Sequence, residues 1–67
     1  MRYECEASRH PEDDTRPAYY LFSLIELPIG HTVLHGEAPD RRFVERVCEA
    51  YAEAAQVQDL EFVWREA

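Results

Sequence analysis

Residues 39–56, PDRRFVERVCEAYAEAAQ, carry the longest helical period in the chain, and their reading decides the fold. Phe43, Val44, Val47, Tyr51, Ala54 and Ala55 recur at three- and four-residue steps, which places them on one apolar stripe of a helix. Pro39 suits the first helical position, where a missing N–H costs nothing, and Asp40 suits the positive end of the helix dipole. The alanine-rich continuation extends the helix to Gln56, and its stripe needs a sheet to cover it.

On both sides of this helix the period changes to two. Downstream, Leu60, Phe62 and Trp64 alternate with Glu61, Val63 and Arg65, a strand that turns its large side chains toward the helix. At the other end of the chain, Tyr3, Cys5 and Ala7 alternate with Arg2, Glu4 and Glu6, which predicts a first strand over Arg2 to Ala7. Ser8 to Pro17, SRHPEDDTRP, has no apolar period and reads as a long solvated loop. Ala18 to Leu27 is apolar on both faces, with Tyr20, Phe22 and Leu24 on one and Tyr19, Leu21 and Ile25 on the other, the pattern of a central strand covered on both sides. Leu27-Pro28-Ile29-Gly30 then reads as a turn, and His31 to His35 as a short third strand returning antiparallel.

The order is therefore β-β-β-α-β, one α+β domain over residues 1–67: a small antiparallel sheet of three to four strands with one helix on one face. A single helix leaves the opposite face open. Tyr19, Leu21, Ile25 and Val63 are the apolar residues expected there, and such a face implies a homodimer or a partner contact.

Composition bounds the function. With 67 residues, of which 46% are hydrophobic, the chain can fold, yet a domain of this size buries only about 60% of its unfolded surface. The formal charge is −7, from fourteen acidic residues against seven arginines and no lysine. Phosphate contacts require clustered cations, and only Arg41, Arg42 and Arg46 are close in sequence, so direct nucleic-acid binding is not expected and a basic protein surface is the favoured partner. No signal-peptide core opens the sequence, and its longest apolar run is broken by Ser23 and Glu26, so a cytoplasmic location is expected. Cys5 and Cys48 are expected to be reduced core residues.

No motif for catalysis or cofactor binding emerges. His31 and His35 are four residues apart, a spacing that converges only on a helix, so no metal site with Cys5 or Cys48 is expected. Gly30 and Gly36 stand alone and make no phosphate loop, and no orienting group accompanies a Cys/His pair, so no catalytic residues are assigned. The acidic residues are more informative. Glu45, Glu49 and Glu53 repeat every four positions and form a row, with Arg42 and Arg46 three residues before two of them to offset the repulsion. Either the row is an ordinary solvated face, or it joins Glu12, Asp13 and Asp14 in presenting carboxylates to a groove that normally holds DNA or RNA, with Tyr19 as an added contact. Along a helix the carboxylates advance about 6 Å each, whereas a DNA strand offers a phosphate about every 3.4 Å, so occlusion rather than strict duplex mimicry is the expectation.

In size, carboxylate excess and β-rich plan the chain resembles the small acidic inhibitors that bacteriophages encode against bacterial defence, notably the anti-CRISPR proteins. That family shares no common motif, so no residue role carries over from it. The resemblance implies a protein in the bacterial host cytoplasm that binds a CRISPR effector complex and blocks DNA recruitment or cleavage without chemistry of its own. Arginine use without lysine suits a GC-rich bacterial or phage genome. The alternative is a small bacterial structural or regulatory protein that homodimerises through its sheet.

Overall fold

A computed structural model describes all 67 residues. The elements are β1 (Arg2–His10), β2 (Tyr19–Leu27), β3 (His31–Ala38), α1 (Arg41–Ala54) and β4 (Leu60–Glu66), in the expected β-β-β-α-β order. They form a four-stranded sheet, β3-β2-β1-β4, in which β1 pairs antiparallel with β2, and β2 with β3. The sheet is mixed rather than wholly antiparallel, because β4 runs parallel to β1. After β3 the chain crosses the sheet as α1 and reaches the far edge, where only the parallel direction is open to it.

Both β1 and β2 have nine residues, and β1 is longer than its alternation indicates. Ser8, Arg9 and His10 pair with Leu21, Tyr20 and Tyr19, so the connecting loop shortens to residues 11–18. Pairing across the hairpin extends the strand through residues whose own pattern is polar. The loop is held internally by Asp13, whose Oδ1 accepts from the Thr15 N–H and hydroxyl at 2.7 Å each and from the Arg16 N–H at 3.2 Å. At the next turn Gly30 takes φ 82°, a conformation open to glycine, and its N–H donates to the Glu26 carbonyl at 2.7 Å. Beyond it, β3 reaches Ala38, with a register irregularity opposite Leu24 and Ile25.

The helix is shorter than residues 39–56 and rotated from the expected stripe. Asp40 is its N-cap, with the carboxylate accepting from the Phe43 N–H at 2.8 Å, so Pro39 precedes the helix. At the other end Gln56 takes φ 60°, while the N–H groups of Gln56 and Val57 donate to the carbonyls of Glu53 and Ala52. These are the two bonds of a Schellman cap, and buried Val57 supplies its apolar contact.

Val44, Cys48 and Ala52 face the sheet, whereas Phe43 and Tyr51 are 46% and 36% exposed and Ala54 and Ala55 lie in solvent. Small side chains explain the rotation. Cys48 and Ala52 let the helix approach a sheet surface that includes Cys5 and Ala7, which bulkier residues on that line would prevent. The core is completed by Tyr3, Phe22, Leu24 and Ala38, with Val47, Leu60, Phe62 and Trp64 packed around it.

No helix covers the other side of the sheet, so β2 is buried on one face only. Leu21 is 43% exposed there, while Tyr19 and Ile25 on β2 and Val63 on β4 are half-buried. No helix is long and apolar enough to cross a membrane.

Candidate functional site

The rotation of α1 gives its rows distinct surroundings. Glu45, Glu49 and Glu53 run along the flank that overlooks β4, with Glu45 half-buried and the other two exposed. Glu49 and Glu53 border an open recess of about 460 Å³ whose floor includes Val57, Leu60 and Phe62. The expected offset from Arg42 and Arg46 does not form. The ion pairs of the chain are Arg2–Glu61 at 3.8 Å, Arg9–Glu66 at 3.5 Å and Arg16–Glu37, leaving the helical row unpaired.

Further carboxylates lie on the opposite face of the sheet. Glu61 lies on the open face opposite Glu4, in the parallel register that also places Val63 opposite Glu6. Sequence reading omitted Glu4, Glu6 and Glu61 because each is a plain alternating strand position. Only the β1/β4 pairing, between residues far apart in the chain, makes them neighbours.

The Glu12-Asp13-Asp14 segment does not join this surface. It lies in the loop beyond the last pairs of β1 and β2, at the end of the sheet where α1 begins, while the helical row runs away from that end. Asp13 is occupied by the loop's own hydrogen bonds, led by the Thr15 hydroxyl, and these hold its carboxyl below the usual value. Tyr19 is similarly engaged. Its ring stacks on His10 at 4.8 Å between centroids, and the Arg16 guanidinium sits 3.5 Å from the ring centre while pairing with Glu37. Thus Arg16 ties the loop to β3, and Tyr19 contributes to that tie.

Three arginines cluster separately from the row. Arg9, Arg41 and Arg65 line an open recess of about 450 Å³ with Tyr20, Trp64 and Glu66. Arg41 lies 4.3 Å over the Trp64 ring, which Phe62 stacks against and Tyr20 meets edge-on. These aromatic contacts use the indole for packing. This cluster gathers three of the seven arginines near the N-terminal end of the helix.

The histidines and cysteines do not converge. His31 and His35 are exposed on edge strand β3, whereas Cys5 and Cys48 are buried beneath the helix. The two sulfurs touch at 3.4 Å. The Cys48 S–H donates across this contact, and the contact with Cys48 together with burial pushes the Cys5 thiol up. No protein-family model matches the chain, and neither a curated protein nor a solved structure matches it.

Proposed function

We propose that this is a non-enzymatic acidic protein that binds the cation-lined, nucleic-acid-binding surface of a bacterial defence complex, in the manner of an anti-CRISPR inhibitor, and keeps nucleic acid out. The observation that supports it is the row Glu45, Glu49 and Glu53, which has no ion-pair partner within the chain. Carboxylates left unpaired at a net charge of −7 would gain from a partner rich in Arg and Lys, whose pairing steers association and fixes orientation. Spacing of about 6 Å along the helix favours an electrostatic plug over a replica of a phosphate chain. The Glu12 to Asp14 loop is a secondary contact at most, given that Asp13 is engaged internally.

The test is competition. Guide-loaded CRISPR effector complexes are assayed for target-DNA binding with added protein, at low and high salt. Wild type should displace DNA at low salt and lose potency as salt rises, and the triple variant Glu45→Lys, Glu49→Lys, Glu53→Lys should be inert. Displacement by the triple variant at wild-type potency would remove the acidic row from the argument.

A second reading, a homodimer formed through the uncovered sheet face, draws on the exposure of Leu21, which shares that face with half-buried Ile25 and Val63. It predicts twice the monomer mass in sedimentation and a monomer after Leu21→Glu.

A further inference from the structure

We propose that Cys5 and Cys48 form an oxidative modification site that closes to an intramolecular disulfide joining α1 to β1. They are the only cysteines of the chain, 43 positions apart, yet their Sγ atoms lie 3.4 Å from each other. Both residues are fully buried. Cys5 is on an inner strand and Cys48 near the middle of the helix, so the bond would fasten the two layers of the fold at their centre. A disulfide needs its sulfurs at about 2.05 Å, so the pair, already in van der Waals contact, closes by rotation of the two side chains. The pair belongs to no larger ligand set, because no third His, Cys, Asp or Glu gathers around it.

The chemistry requires a two-electron oxidant, and hydrogen peroxide is small enough to enter between the helix and the sheet. The Cys48 thiol gives up its proton and its sulfur attacks the peroxide; the O–O bond breaks, the departing hydroxide takes up that proton as water, and Cys48 becomes a sulfenic acid. The Cys5 sulfur then attacks the Cys48 sulfur. The S–S bond forms as the S–O bond breaks, and hydroxide departs with the Cys5 proton as water. Two thiols and one peroxide yield one disulfide and two waters, with each sulfur oxidised by one electron. The cross-link prevents α1 from leaving the sheet and closes a long loop in the unfolded chain, which raises the melting temperature by about 10 °C or more.

This inference rests on packing alone and stands apart from the proposed inhibition. The purified reduced protein is treated with hydrogen peroxide, quenched, unfolded in guanidinium chloride and exposed to a maleimide, then weighed intact. The expected product is a monomer lighter by two hydrogens that takes up no maleimide, melts higher than the reduced form and regains two reactive thiols with dithiothreitol. Two maleimides after peroxide treatment, conversion to sulfinic acid, or a covalent dimer would each overturn the proposal. The Cys5→Ala variant, unfolded so that its folding is immaterial, shows the uptake of a single free thiol and calibrates the readout.

Discussion

Truncating two leucines of β2 to alanine should give very different results, although they lie three residues apart. Leu24 is fully buried beneath α1, at the middle of the sheet, whereas Leu21 points to the uncovered face and is 43% exposed. Losing a fully buried leucine costs about 3–4 kcal/mol in transfer and cavity terms. A 67-residue domain has about 3–10 kcal/mol in total, so Leu24→Ala should leave the protein barely folded, with a melting temperature lower by about 12–30 °C. Leu21→Ala removes a side chain already in partial contact with water and should cost under about 1 kcal/mol. Urea titration followed by the fluorescence of Trp64 reports both, since this single tryptophan packs between Phe62 and Arg41 and loses that environment on unfolding. Equal costs at the two positions would refute the assignment of faces. A large cost at Leu21 that depends on protein concentration would instead show that face buried in a dimer.

Gln56→Gly should stabilise the domain by about 1 kcal/mol, because glycine adopts φ 60° without the Cβ penalty; denaturant midpoints will show the sign. Asp40→Ala should cost about 1 kcal/mol through loss of the N-cap hydrogen bond, and Asp40→Asn should recover most of it in the same assay. Burial raises the Tyr3 phenol, helped by the nearby Tyr51 and Glu26, so the folded state favours its neutral form. Its contribution is then intact below the ordinary tyrosine value of about 10 and is lost as pH rises through the folded one. Thermal melts across that alkaline range should fall more steeply for wild type than for Tyr3→Phe.

The alternations Tyr3-Cys5-Ala7 and Leu60-Phe62-Trp64 were legible in the sequence because a strand's side-chain period is a local property, and so was the helix between them. Which helical positions enter the core was less so. The apolar set from Phe43 to Ala55 spans a wider arc than one narrow sheet covers, and the choice fell to the small residues Cys48 and Ala52 because they permit close approach. The acidic row was visible in the four-residue repeat of Glu45, Glu49 and Glu53. The placing of Glu61 opposite Glu4 was not, because it depends on the partner chosen by the last strand.

The sequence by itself determined the element order, the single-helix α+β plan and the excess of carboxylates, all of which follow from period and composition. Tertiary structure alone decided that β4 pairs parallel with β1, that Asp13 and Tyr19 are engaged in anchoring a loop, and that Cys5 meets Cys48. Those facts concern residues distant along the chain, and distance in space is set by the packing of whole layers rather than by any local pattern.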